Sequence, residues 1–299
     1  MTRLRGPLTA AAVPLILLAG CARPVADGPG GAGSGAASGG PESTSAASPG
    51  ANDLVLRSES YGGFVPAEQV LGKLPAISVY GDGRVISEGP IPAIYPGPAL
   101  PNVQVQRITP ELVRELVRQG VAAGVRNGTD LGRPSVQDAP ITRITMVTAD
   151  GPQVVTADAL SEAQTDDPKL TAAQRQARAK LAAFDKTLSG LTTRPGASQS
   201  SAYEPAGVVV FASPYTAPVG LPASPAKTWP GPALPGADID TRTKAGCVAV
   251  TGAQKDQVMA AAKAANAITP WTAGAAKWHV VFRPLLPDES GCAAVKAAR

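Results

Sequence analysis

Residues 77–87, Ile77-Ser78-Val79-Tyr80-Gly81-Asp82-Gly83-Arg84-Val85-Ile86-Ser87, decide the fold class of this chain. Two β-rich runs meet at Asp82-Gly83, a strong hairpin signal because a type I′ turn needs positive φ at both central residues. A turn centred there predicts the cross-strand pairs Val79–Ile86 and Tyr80–Val85. A second hairpin is expected where Ile144–Thr148 turns through Asp150-Gly151 into Val154-Val155-Thr156. Leu54-Val55-Leu56 opens the ordered part of the chain as a further strand.

Helices follow from spacing. Thr109 is placed to cap a helix and Pro110 fits its first turn, while Leu112, Val113, Leu116, Val117 and Val121 form an apolar stripe. Glu111–Arg114 and Glu115–Arg118 are i,i+3 pairs on the other face, read as a solvated flank rather than catalytic carboxylates. Thr171 and Gln174 make a capping box for a second helix, buried along Ala177, Leu181, Phe184 and Leu188. Its bases Arg175, Arg178, Lys180 and Lys186 are expected on a solvated face. Further on come a strand at Val208–Phe211, another at Cys247–Val250, a helix near Ala253–Ala265 and a strand at Trp278–Phe282. The pattern is α+β: antiparallel hairpins packed with two or three helices.

Tyr95-Pro96-Gly97-Pro98-Ala99-Leu100-Pro101 recurs as Trp229-Pro230-Gly231-Pro232-Ala233-Leu234-Pro235. Each copy precedes a strand that leads through a threonine, Thr109 or Thr251, into a helix. The repeat suggests two related ββαβ-like units, 53–190 and 207–299, joined by a Gly/Ser/Thr/Pro-rich linker at 191–206.

The chain carries 27 basic and 23 acidic residues, a balance that gives no electrostatic case for nucleic acid. With 4% aromatic residues, the core has to be built mainly from Val, Leu, Ile and Ala.

The N-terminus carries the most specific signal. Arg3 and Arg5 precede an apolar run, Leu8–Leu18, which ends in Ala19-Gly20-Cys21. This is the layout of an export signal. As a helix the run would be roughly 16 Å long, against about 30 Å for a hydrocarbon core. Leu18-Ala19-Gly20-Cys21 resembles the bacterial lipobox at all four positions. The resemblance covers residues 1–21 alone and implies cleavage before Cys21, acylation of its thiol and a place on the outer face of the cytoplasmic membrane. In composition alone, rich in Ala, Gly and Pro, the rest resembles uncharacterised envelope lipoproteins of actinobacteria. Residues 21–52, almost wholly Gly, Ala, Ser, Pro and Thr, carry too little apolar surface to fold and read as a disordered tether.

With Cys21 acylated, Cys247 and Cys292 remain, and in an oxidising setting an even remainder suggests one disulfide, two buried free thiols being the alternative. Together with the single His279 they are too few for a structural zinc site. His279 lies in an apolar strand, pointing away from Trp278 and Val280, and reads as structural. A nucleophile elbow, a phosphate loop and a metal-protease motif are all missing. No catalytic residue, metal or cofactor is therefore expected. The surface feature singled out is the pair Tyr95 and Trp229, held in stiff aromatic-Pro-Gly-Pro segments that would offer an edge to an envelope protein or a glycan, packing of each ring onto its own domain being the commoner alternative. The reading is a membrane-anchored lipoprotein with a non-catalytic binding or structural role. A hydrolase using paired carboxylates and an inhibitor- or immunity-type protein are its alternatives.

Overall fold

A computed structural model describes residues 49–299, apart from 64–66, 195–196, 221–223, 241–243 and 298–299. The described residues group as one compact unit. Cys21 and most of the expected tether lie outside the described residues. The last tether positions do not behave as composition suggested. Gly50 N donates to Asp53 Oδ2 at 2.7 Å, and Arg84 Nη2 donates to Ala51 O at 3.0 Å, so residues 50–53 form a turn fastened to the body.

The fold is α+β, built on two sheets. The first holds β1 (Leu54–Gly62), β2 (Ile77–Tyr80), β3 (Arg84–Glu88), β4 (Val103–Arg107), β5 (Pro140–Thr148), β6 (Gly151–Asp158) and β7 (Ser201–Ala202). Their order is β6-β5-β1-β2-β3-β4-β7, antiparallel throughout. The second holds β8 (Gly207–Pro214), β9 (Lys227–Thr228), β10 (Ala237–Asp240), β11 (Ala245–Thr251), β12 (Trp271–Ala273) and β13 (Ala276–Pro284). Its order is β10-β11-β8-β13-β12-β9, with one parallel pair, β12–β9.

Both hairpins form, but the register of the first differs from expectation. Val79 pairs with Val85 and Ser78 with Ile86, one residue away from the predicted Val79–Ile86 and Tyr80–Val85. The cause is the turn. Gly83 N donates to Tyr80 O at 2.9 Å and Gly83 alone takes a positive φ, +80°, while Asp82 does not. The left-handed residue thus follows the two central positions instead of occupying one, which yields a three-residue loop. A side chain at Gly83 would also strike Ile108 O. Because the side-chain period is two, this register puts Val79 and Val85 on one face and Tyr80 and Ile86 on the other.

Helices α2 (Pro110–Ala123) and α3 (Ala172–Ser189) cover the first of these faces and bury Leu56, Val79, Val85, Leu116, Ile144, Met146, Leu181, Phe184 and Leu188. Both predicted caps are present: Thr109 Oγ1 accepts from Leu112 N, and Thr171 with Gln174 closes a full capping box. Two details differ. Val121 is exposed because the buried stripe runs through Gly120, which packs against Met146 and Phe184. Arg178 is not on the solvated face but buried, donating to the carbonyls of Leu131, Asp158 and Ala159.

Helix α4 (Gly252–Lys263) covers the second sheet, packing its own Val258 and Ala262 over Val210, Val250, Trp271, Val280 and Phe282. The remaining faces of the two sheets share a middle layer. It is formed by α1 (Ala67–Gly72), Leu74, Leu285, Leu286 and α5 (Cys292–Ala297). Gly72 meets β13 so closely that a β-carbon there would sit 2.5 Å from Val281 Cγ1.

The two copies of the repeat converge. Ala99 and Leu100 from the first, and Trp229 and Leu234 from the second, all pack against the core under α4. The expected linker adds β7 to the edge of the first sheet by pairing with β4.

Candidate functional site

A groove of about 1090 Å³ opens where the chain enters the body. One wall is Asn52 and Asp53 with the start of β1, Leu54 and Val55, and Gly81. The other is the first turns of α2, carrying Pro110, Val113, Arg114, Val117 and Arg118. The β5–β6 turn (Val147–Ala149) closes one end and Pro287–Ser290 the other. Local sequence sets these positions. A bulge between Leu54 and Leu56 directs Leu54 toward the middle layer while Val55 and Leu56 both enter the core under α2. The Thr109 cap fixes the start of α2, so Val113 and Val117 line the groove and Arg114 and Arg118 stand at its rim. Both rim arginines are held by the predicted partners, Glu111 and Glu115.

At the loop end a buried polar cluster meets the groove. Asp288 Oδ1 accepts from Arg57 Nη2 at 2.8 Å and from Tyr80 Oη at 2.8 Å. Arg57 Nε also donates to Ser78 Oγ at 3.0 Å. Next to it Arg283 grips Glu289 through two bonds of 2.6 and 2.8 Å, and Leu286 N caps the same carboxylate at 2.9 Å. Burial pulls the Arg57 guanidinium down, but Asp288 and Tyr80 outweigh it and the pKa rises. Burial pushes the Tyr80 hydroxyl far above its ordinary range, so it remains a proton donor to Asp288. The cluster fixes the Pro287–Ser290 loop against the first sheet.

A second recess, of about 50 Å³, holds room for a few waters. Glu59 and Glu289 both line it. Glu59 accepts from Arg143 at 2.6 Å, and Glu289 is taken by Arg283. Burial, opposed by Lys73 and Arg283, raises the carboxyl of Glu88 at the end of β3, with no second acid among its charged neighbours.

The residues singled out from sequence are dispersed. Cys247 and Cys292 are bonded, S–S 2.03 Å with Cα atoms 6.1 Å apart, and tie α5 to β11. Tyr95 is 74% exposed. Trp229 corrects the expected surface pair: it is 8% exposed, its ring meets Trp271 edge-on at 5.7 Å, and its Nε1 donates to Pro232 O at 2.6 Å. The large ring is worth more against Trp271 and Phe282 than in water, and the local carbonyl satisfies its one polar atom. His279 borders a small apolar recess with Leu71, Phe211 and Val281, on the face away from Val280. Sequence reasoning passed over Arg57, Tyr80 and Asp288. The available hint was a charged residue directly after the apolar run Leu54-Val55-Leu56.

Comparison with protein-family models, with curated proteins and with solved structures returned no match.

Proposed function

We propose that the chain is an exported lipoprotein, acylated on Cys21 and held on the outer face of the cytoplasmic membrane, whose folded body binds an envelope component without catalysing a reaction. The lipobox resemblance at Leu18–Cys21 supports the anchor. The groove between β1 and α2 carries the binding role. It is large, its walls are mostly apolar (Leu54, Val55, Val113, Val117, Val147), and its charged residues Arg114, Arg118, Asp288 and Glu289 are each held in an ion pair. Concave, mainly apolar surfaces with a few oriented polar groups are where ligands bind. The Arg57–Asp288 and Arg283–Glu289 pairs hold the loop at the groove's end in place.

A photocrosslinking residue placed at Val117 or Val147, with exposed Val219 as control, tests this in envelopes of the native cell. The expected result is one species captured from both groove positions and absent from the control. Identical capture at all three positions, or none at the groove, would remove the groove from the account.

A further inference from the structure

Ile91 (66% exposed), Ile94 (63%) and Tyr95 crowd into five residues of the loop between β3 and β4. From Gly89 to Pro101 this loop has five prolines and no charged side chain. It is pinned at its base. Gly89 N donates to Asn102 O at 2.7 Å and Asn102 Nδ2 to Pro90 O at 2.7 Å. Its second half is tied to the segment after α4: Ala267 N donates to Gly97 O at 2.9 Å and Ala99 N to Ala265 O at 3.3 Å. With Ala99 and Leu100 packed inward, the apolar tip is held outward, and little ordering entropy remains to be lost on docking.

We propose that this loop is a second membrane contact, setting Ile91 and Ile94 into the bilayer boundary with Tyr95 at headgroup level. The inference rests on the reading of Cys21 as acylated and of the residues between it and the Gly50–Asp53 turn as a tether.

Two observations favour a bilayer over a protein, and the point of chain entry is compatible with it. Three such side chains offer on the order of 400 Å², about half of the roughly 800 Å² per partner that a stable protein interface buries. A protein interface also has a polar rim, with about one hydrogen bond per 100–200 Å². Across Gly89–Pro101 the side chains offer only the Tyr95 hydroxyl, whereas an apolar insertion with an interfacial tyrosine needs no more.

The point of chain entry permits the contact. It joins the body beside Arg84, at the start of β3, while the loop leaves from Glu88, about 13 Å further along the strand. A short leader would hold the entering end against the membrane. A Gly/Ser-rich tether with an r.m.s. reach on the order of 30 Å lets the far end turn to it. Once anchored, the loop meets lipid at an effective concentration in the millimolar range, where a contact too weak to recruit a free protein suffices.

The test uses the full acylated chain carrying Ala93→Cys, labelled with bimane and placed in neutral phosphatidylcholine vesicles with brominated acyl chains. The disulfide and the acylated Cys21 leave the introduced cysteine as the free thiol. Flotation reads the anchor and bimane quenching reads the loop. The expected result is flotation with about two-fold quenching that high salt leaves unchanged, since the loop has no charge to screen. Adding Ile91→Ser, Ile94→Ser and Tyr95→Ser should abolish quenching and leave flotation intact. A chain that floats with unquenched bimane, as a loop reserved for a protein partner would, overturns the loop proposal alone. So does quenching that needs anionic lipid and disappears in salt. A chain that does not float overturns the anchor, and this proposal with it.

Discussion

Arg57 of β1 and Asp288, in the loop after β13, are 231 residues apart in sequence and 2.8 Å apart in space. With Tyr80 they join the first sheet to a loop that leaves the second, and that loop forms one end of the groove. Groove shape and inter-sheet packing therefore depend on the same buried contact.

Asp288→Asn should destabilise the fold by about 2–3 kcal/mol in urea unfolding, below the full cost of orphaning a buried charge because Asp288 is 22% exposed. Replacing both partners, Arg57→Met with Asp288→Leu, should cost less than the single change, since no unpaired charge then remains. A double variant as unstable as the sum of its parts would show that the pair is not acting as a unit.

The Cys247–Cys292 bond closes a separation of 45 residues. In the chain-entropy model such a loop is worth on the order of 4 kcal/mol. The double Cys→Ser variant should melt well below the wild type, and alkylation of the unreduced native protein should add no mass at these positions. A protein alkylated there without reductant would refute the bond.

Tyr203 donates to Leu285 O at 2.9 Å, and burial pushes its pKa up to about 12. Its hydroxyl titrates near 10 in the unfolded chain, so between these values the folded state holds a proton that the unfolded state has lost. Stability is therefore undiminished below pH 10 and falls as pH rises toward 12. Denaturation followed across this window should show a shallower fall in Tyr203→Phe. An unchanged slope would assign the alkaline loss elsewhere, with buried Tyr80 the next residue to substitute.

The two repeat copies should respond oppositely to truncation. Trp229→Ala removes a ring packed on Trp271 and Phe282 and should cost about 3–5 kcal/mol. Tyr95→Ala should stay within about 0.5 kcal/mol, as exposed positions do. Thermal melts of the two variants side by side decide this, and equal losses would contradict the contrast.

Local features could be read from sequence because their partners are near in the chain. Thr109 and Thr171 cap helices through residues three positions on, and an Asp-Gly pair lies in the turn of both hairpins. What failed depended on distance or on a choice between near-equal local options. Gly81-Asp82-Gly83 admits more than one turn, and the one that formed moved the register by a residue. Arg178 has the spacing of a solvated base, yet it serves carbonyls brought from Leu131 and Asp158–Ala159. Tyr95 and Trp229 share a motif, but one projects from a pinned loop and the other lies over Trp271. The Arg57–Asp288 contact joins two sheets whose packing no local pattern announces.

The anchor underlies the whole functional reading, and metabolic labelling with a clickable fatty acid in the native cell tests it most directly. Wild-type protein should carry the label in the membrane fraction, begin at Cys21, and lose the label in Cys21→Ser. Label that persists in the serine variant, or mature protein that still carries residues 1–20, would contradict it.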